Sequence, residues 1–168
     1  TARNTAAGGG TSTSAIIAGG NTPPISALTE TYNGSTWTEA PNTNTGVQYS
    51  AGSGTTTAAL KIAGASPAGA GGSDDDGTIA VEEFNGSAWS EIADLASNRK
   101  FEGSAQQGTT TASLIFGGSA VAPASPALAL TEAYNGTSWS EVSDLNTARH
   151  SSPGAGTSTA ALFISGVT

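Results

Sequence analysis

L-T-E-A-Y-N-G-T-S-W-S-E, residues Leu130–Glu141, is the stretch that decides the fold, because near-copies of it occur twice more. The other copies are Leu28–Glu39 (L-T-E-T-Y-N-G-S-T-W-T-E) and Ala80–Glu91 (A-V-E-E-F-N-G-S-A-W-S-E). Together they contain all three tryptophans of the 168-residue chain. A tryptophan that recurs about every 50 residues indicates a repeat architecture.

A second motif, an apolar strand ending in glycine, alternates with the first and occurs four times. Its copies are Thr13–Gly20, Thr57–Gly64, Thr111–Gly118 and Thr159–Gly166. Alternate positions are mostly apolar on both faces, which is typical of a strand buried on both sides. Lys61 is the exception, and we expect it to extend its ammonium group to solvent near a sheet edge.

The tryptophan motif predicts a β-hairpin. Asn-Gly favours a type I′ turn, since both central residues of that turn need positive φ. The aromatic pairs flanking the turn are expected to pack across the hairpin or against the next repeat. These pairs are Tyr32/Trp37, Phe84/Trp89 and Tyr134/Trp139.

Taken together, these motifs resemble the kelch repeat, whose pattern is an early basic residue, a strand ending in Gly-Gly, a tyrosine and a later tryptophan. The basic residue corresponds to Arg3, Arg99 and Arg149, with Gly46-Val47 at that place in the second copy. The rest of the signature is Gly19, Gly20, Tyr32, Trp37, Phe84, Trp89, Gly117, Gly118, Tyr134 and Trp139. The second copy departs from the pattern, with Gly64-Ala65 for the glycine pair and Phe84 for tyrosine.

The resemblance implies an all-β, kelch-like β-propeller, with about three and a half four-stranded blades in a single repeat domain over residues 1–168. The predicted divisions are a half-blade over 1–20 and repeats over about 21–64, 65–118 and 119–166. Propellers close with four to eight blades. We therefore expect copies of the chain to complete a ring or join end to end, or the segment to belong to a longer repeat protein.

Composition limits the function. The net charge is −8 with only five lysines and arginines, so nucleic-acid binding is not expected. The chain lacks cysteine and has a single histidine, His150, which excludes thiolate and His-rich metal sites. No apolar run approaches the 18 residues of a membrane span. We expect no catalytic residues, no cofactor and no membrane insertion.

Three kinds of candidate site remain. Asp74, Asp75 and Asp76 lie in a glycine-rich connection, where a solvated rim loop is favoured over a weak calcium site. Asn33, Asn85 and Asn135 stand in N-x-[ST] sequons, although the turn explains Asn-Gly without glycans. Glu30, Glu82 and Glu132, together with Glu39, Glu91 and Glu141, suggest the carboxylate pair of a glycosidase. Because they recur in every repeat, structural roles are favoured.

The short, near-identical units also resemble the kelch-like repeats of bacteriophage virion proteins and bacterial surface proteins. This resemblance implies a non-enzymatic structural or adhesive repeat protein, extracellular, on a cell surface or on a virion. It would act through self-assembly and through the connections of variable length 21–27, 65–77 and 119–127, which should emerge on one rim. Its expected partners are copies of itself or the rest of a longer repeat protein. The alternative is a carbohydrate-binding, lectin-like propeller that contacts surface glycans.

Overall fold

The computed structural model describes residues 1–66, 77–120 and 126–168, and every regular element in these ranges is a β-strand. Sheet 1 contains β1 (Ala7–Thr11), β2 (Ser14–Ala18), β3 (Thr29–Tyr32) and β4 (Trp37–Ala40). Sheet 2 contains β5 (Ala51–Thr55), β6 (Ala58–Ile62), β7 (Val81–Phe84) and β8 (Trp89–Glu91). Sheet 3 contains β9 (Gly103–Ser104), β10 (Ser113–Phe116), β11 (Thr131–Tyr134) and β12 (Trp139–Glu141), and the terminal pair is β13 (Gly154–Thr157) with β14 (Ala160–Phe163).

Each sheet is antiparallel, and its strands lie side by side in chain order. The second strand is the glycine-terminated motif, and the third and fourth strands are the tryptophan hairpin that follows it. The predicted all-β class is confirmed, and three four-stranded antiparallel sheets followed by a strand pair are consistent with the blades of a propeller. Among the described residues, no helix is long and apolar enough to cross a membrane.

The four-stranded sheets span 7–40, 51–91 and 103–141. The repeats counted from the sequence, at about 21–64, 65–118 and 119–166, start within a sheet, at the connection between its second and third strands. Each such repeat therefore contains the third and fourth strands of one sheet and the first and second strands of the next. The terminal pair β13–β14 corresponds to the first two strands of a sheet.

The first strands of neighbouring sheets approach closely, with β1 against β5, β5 against β9 and β9 against β13. Glycine makes this approach feasible. A methyl group at Gly52 would lie 2.7 Å from the Gly8 nitrogen, and one at Gly154 would lie 2.3 Å from the Ser104 carbonyl oxygen. The many glycines of these strands thus provide the space that backbone-to-backbone packing requires.

The apolar core lies between the sheets. Ile16 and Ala18 of sheet 1 pack against Phe84 and Trp89 of sheet 2. In the same way, Leu60, Ile62 and Val81 of sheet 2 pack against Ile115, Tyr134 and Trp139 of sheet 3. Phe116 of sheet 3 contacts Phe163 of the terminal pair, with ring centroids 5.2 Å apart. Sheets 2 and 3 therefore bury one face against the preceding sheet and the other against the following strands.

The aromatic pairs lie directly opposite each other across the hairpins, as predicted, with ring centroids 5.0–5.2 Å apart. The type I′ turn, however, is wrong. Gly34 has positive φ and Asn33 does not, and the connection contains the four residues 33–36. The Asn33 side-chain oxygen accepts hydrogen bonds from the Ser35 and Thr36 amides, which stabilises this longer loop. Asn85 and Asn135 do the same.

The glycine pair of the second repeat is Ala63-Gly64 rather than Gly64-Ala65. Ala63 has φ of 49° and Gly64 has φ of 102°, close to the values of Gly19 and Gly20. The terminal pair has Ser165-Gly166 at this place, again with two positive φ values. The backbone conformation is thus kept in all four copies, although only two of them have glycine at the first position.

Candidate functional site at the open ends of the sheets

The face of each sheet that carries its tryptophan, called here the Trp face, is covered by the preceding sheet in two of three cases. Trp89 and Trp139 are buried, and the Trp89 indole N–H donates to the Pro41 carbonyl of sheet 1 at 3.0 Å. Trp37 is 52% exposed, because no described sheet lies before sheet 1. The Trp face of sheet 1 is therefore an open apolar end.

The terminal pair forms a second open end, on the face that points away from sheet 3. Leu162 is 63% exposed and Ile164 is 53% exposed. Their equivalents in sheet 2, Leu60 and Ile62, are completely buried against sheet 3. The open ends thus carry the two kinds of surface that meet at each internal sheet-to-sheet contact.

Each complete sheet contains an ion pair, which is buried in sheets 2 and 3 and partly buried in sheet 1. Arg3 pairs with Glu30 in sheet 1, and Arg99 pairs with Glu132 in sheet 3. Each arginine also donates to two backbone carbonyls: Arg3 to Gly19 and Leu28, and Arg99 to Gly117 and Leu130. This uses the fork of donors that distinguishes arginine from lysine.

In sheet 2, the positively charged partner of the glutamate lies on the second strand, β6, rather than before the first strand. Val47 occupies the place of the arginine, and Lys61 on β6 pairs with Glu82 instead, with Nζ 2.5 Å from Oε1. Lys61 is buried, so the expectation of a solvent-reaching side chain is wrong. Burial lowers the pKa of Lys61, while the hydrogen bond and the charge of Glu82 oppose that change. The acidic partner explains why a lysine is tolerated on an apolar strand.

The same glutamates also tie each sheet to the preceding one. Glu82 accepts the Asn44 amide at 2.7 Å and the Thr45 amide at 3.1 Å, both from the segment after sheet 1. Glu132 accepts the Ala96 amide at 2.8 Å from the segment after sheet 2. Their recurrence therefore has a structural cause, as the sequence suggested.

Arg149 occupies the matching place before the terminal pair. Its guanidinium donates to the Ser165 carbonyl at 3.0 Å, as Arg3 and Arg99 donate to the equivalent carbonyls of Gly19 and Gly117. Within the described ranges, it has no carboxylate at ion-pair distance. The carboxylate would come from a third strand, which the terminal pair lacks.

Four equivalent residues with positive φ lie shortly before the first strands β1, β5, β9 and β13. They are Thr5, Tyr49, Phe101 and Ser151. The amide of each later residue donates to the carbonyl of the one before, at 2.8–3.1 Å. Glu102 lies in the depression that these residues line, where its Oε1 accepts the Ala51 amide and its buried Oε2 has no hydrogen-bond partner among the described residues. Burial raises the pKa of Glu102 to about 8, so the group is largely protonated at neutral pH. No pattern in the sequence predicted this group.

The remaining candidates do not form a common site. Asp74, Asp75 and Asp76, with their calcium hypothesis, lie outside the described residues. Asn33, Asn85 and Asn135 lie at three separate exposed hairpin tips, and their glycosylation stays a prediction. His150 packs near the Phe101 ring, and its Nδ1 lies 2.8 Å from the Ser151 hydroxyl. In the described part of the chain, no three acidic or histidine side chains cluster as metal ligands would.

Comparison with known proteins supports the fold. No protein-family model matches the chain, and no curated protein matches it significantly. The solved structure of YjhT matches 91% of this chain with a TM-score of 0.68 at 11% sequence identity. This chain spans 56% of the length of YjhT. At that identity the likeness shows a shared fold and nothing about activity.

Proposed function

We propose that this chain is a kelch-type, non-enzymatic structural and adhesive repeat protein, exposed on a virion or cell surface. It acts by self-assembly through its open ends and by contacts of its rim connections. The observation that carries the proposal is the pair of open ends. Trp37 and Leu162 are exposed, although the same positions of the internal sheets are buried in sheet-to-sheet contacts.

The two open ends complement each other. Inside the chain, the face with Leu60 and Ile62 packs against the Trp face with Tyr134 and Trp139. The face with Leu162 and Ile164 of one copy is expected to meet the Trp face of the next copy in the same way. Such a head-to-tail contact produces a closed ring or a filament, depending on the rotation between copies.

The assignment to the kelch type is supported by the phased recurrence of its signature. The basic residue, the glycine pair and the aromatic pair occupy equivalent places in successive sheets. Where the signature residue changes, its structural role is kept, as with Lys61 for the arginine and Ala63 for the glycine. This pattern favours a repeat family whose residues serve the fold rather than chemistry.

The non-enzymatic assignment is supported by the state of the glutamates that resemble a glycosidase pair. Each is engaged in an ion pair inside its own sheet, and the three lie in three different sheets. A glycosidase needs two carboxyl groups that flank one bond, about 5–10 Å apart. The glutamates opposite them in the same hairpins, Glu39, Glu91 and Glu141, recur in all three sheets, and a pair repeated in every sheet favours a structural role over a single active site.

A lectin-like function is the second candidate, and one observation favours it. The exposed Trp37 ring borders a depression that Arg3 and Glu30 also line. An aromatic platform beside polar groups is a common arrangement for binding a small ligand. Saturable glycan binding that disappears in Trp37→Ala would favour this candidate.

The oligomeric mass tests the proposed function. We expect multi-angle light scattering to give a mass above the 16.3 kDa monomer that rises with concentration. Leu162→Asp should shift the equilibrium to monomer, because it places a charge in the contact. Ile79→Asp is the matched control, since Ile79 is an exposed apolar residue in the segment before β7 and belongs to neither open end. Equal masses for the two variants would contradict the proposal.

A further inference from the structure

The terminal pair has an edge that is distinct from its exposed face. The strand β14 is hydrogen-bonded to β13 on one side only, whereas β2, β6 and β10 are paired on both sides. In the three complete sheets the second side is covered by the tryptophan hairpin. The edge of β14 therefore presents the backbone groups that a hairpin pairs with elsewhere in this chain.

Side chains around this edge are arranged to receive a glutamate. Arg149, Asn146 and Thr147 border a depression beside Phe163. Arg149 matches Arg99, which pairs with Glu132. The backbone of Asn146 and Thr147 matches Asn44 and Thr45, whose amides donate to Glu82. The guanidinium and the backbone donors that bind glutamate in the internal sheets are thus assembled here without a carboxylate.

An apolar contact at the same edge is also uncovered. Val142 follows β12 and is 42% exposed. Its equivalent in sheet 2, Ile92, packs against the core cluster that contains Trp139 of the next sheet. The tryptophan of an added hairpin would cover Val142 in the same manner.

We propose that the β14 edge (Ala160–Phe163) together with Asn146, Thr147 and Arg149 is an acceptor site for a β-hairpin from outside residues 1–168. The hairpin has the chemistry of the three internal ones: glutamate two residues before an aromatic residue, a four-residue loop that starts with Asn-Gly, and tryptophan on the returning strand. This is strand addition at an open sheet edge, in which backbone pairing provides affinity and the glutamate provides register.

The register follows from the internal sheets. Glu132 lies opposite Ile115, and Tyr134 lies opposite Ser113. By equivalence, the glutamate of the added hairpin lies opposite Phe163, and its aromatic residue lies opposite Ala161. A shift of one residue would direct the glutamate away from Arg149, so the ion pair specifies one alignment.

The test uses the intact chain and a fluorescein-labelled peptide with the sequence of residues 128–142. Binding is followed by fluorescence anisotropy, and its location by hydrogen-exchange mass spectrometry. We expect saturable binding and slower exchange at Ala160–Phe163. The peptide with Glu132→Gln should bind at least about tenfold more weakly, because it loses a charge-assisted hydrogen bond.

The matched control is the peptide with Glu141→Gln, which loses the same charge at a position that is exposed in the internal hairpin. Its affinity should stay within about twofold of the parent. In the Arg149→Gln chain the two substituted peptides should bind equally, since the partner of Glu132 is gone. Because the comparison of peptides uses the native chain, it does not depend on the folding of that variant.

Equal weakening by the two peptide substitutions, or unchanged exchange at β14, would overturn the acceptor site. Loss of peptide binding as the chain concentration rises would assign the edge to a second copy, and would also overturn it. The peptide site uses the backbone edge of β14, whereas the end-to-end contact uses the face that carries Leu162. Peptide binding to a chain that stays monomeric would contradict only the proposed function, and assembly without peptide binding would contradict only this inference.

Discussion

Replacing Lys61 with isoleucine tests the idea that an ion pair stabilises each complete sheet. Isoleucine is the residue that sheets 1 and 3 have at this position, as Ile17 and Ile115. The substitution therefore fits the site in size, and it removes the cation together with its hydrogen bond to the Thr45 carbonyl. Glu82 would stay buried without its positively charged partner.

The expected loss follows from the contacts that remain. Removing one member of a buried ion pair costs about 3–5 kcal/mol of unfolding free energy. Glu82 keeps the amide donors of Asn44 and Thr45, so the lower end, about 3 kcal/mol, applies. For a chain of this size that loss lowers the melting temperature by about 6–12 °C.

Urea unfolding followed by tryptophan fluorescence measures the change, because Trp89 and Trp139 are buried on both sides of sheet 2. Two double variants identify the cause. Lys61→Ile with Glu82→Gln should recover part of the loss, since the unpaired charge is gone. Lys61→Ile with Val47→Arg should also recover stability, because it rebuilds the arrangement of sheets 1 and 3. A single variant as stable as the parent, or equal losses in all three variants, would refute the reasoning.

Two further predictions concern the packing near the first strands. The raised pKa of Glu102, about 8 against 4.5 for the ordinary carboxyl, means that the folded state binds the proton more tightly than the unfolded state. Stability is therefore expected to fall by a few kcal/mol as pH rises from about 4.5 to 8. Urea midpoints at pH 5 and pH 8 should show this difference in the parent and a much smaller one in Glu102→Gln. Gly52→Ala should cost about 1–3 kcal/mol, because its methyl group meets the backbone of β1. Gly8→Ala is the control, since its methyl group has only an ordinary contact at 3.7 Å, and equal urea midpoints would contradict the steric explanation.

Much of the fold could be predicted because the hydrophobic pattern repeats in phase. Alternation along Thr111–Gly118 identified β10 and its two buried faces. The aromatic pair Tyr134/Trp139 identified the hairpin, although the expected two-residue turn implied a different register from the one observed. These features are local in sequence, so a single repeat contains the information and the other repeats confirm it.

Features that depend on distant residues were missed. Lys61 is buried because Glu82 lies beside it and because Val47 left the arginine position empty. The available signal was the coincidence of a missing arginine and an added lysine in the same repeat. The hairpin turn was wrong for a different reason: the Asn33 side chain accepts two backbone amides, and this competes with the two-residue turn that Asn-Gly favours.

The protonated state of Glu102 depends on which backbone groups surround it after the strands converge. Its single hydrogen bond comes from Ala51, about 50 residues earlier in the chain. No local pattern distinguishes this glutamate from an exposed one. The open ends were expected from the count of three hairpins against four glycine strands, but the structure was needed to locate them at Trp37 and Leu162.

Sedimentation equilibrium of the unmodified chain over a hundredfold range of concentration tests the central claim of self-assembly most directly. The account predicts a mass that increases with concentration, or a fixed multiple of 16.3 kDa if the ring closes. It also predicts that Trp37 becomes shielded from a soluble fluorescence quencher as the mass rises. A folded 16.3 kDa monomer at every concentration, with Trp37 equally accessible throughout, would contradict it.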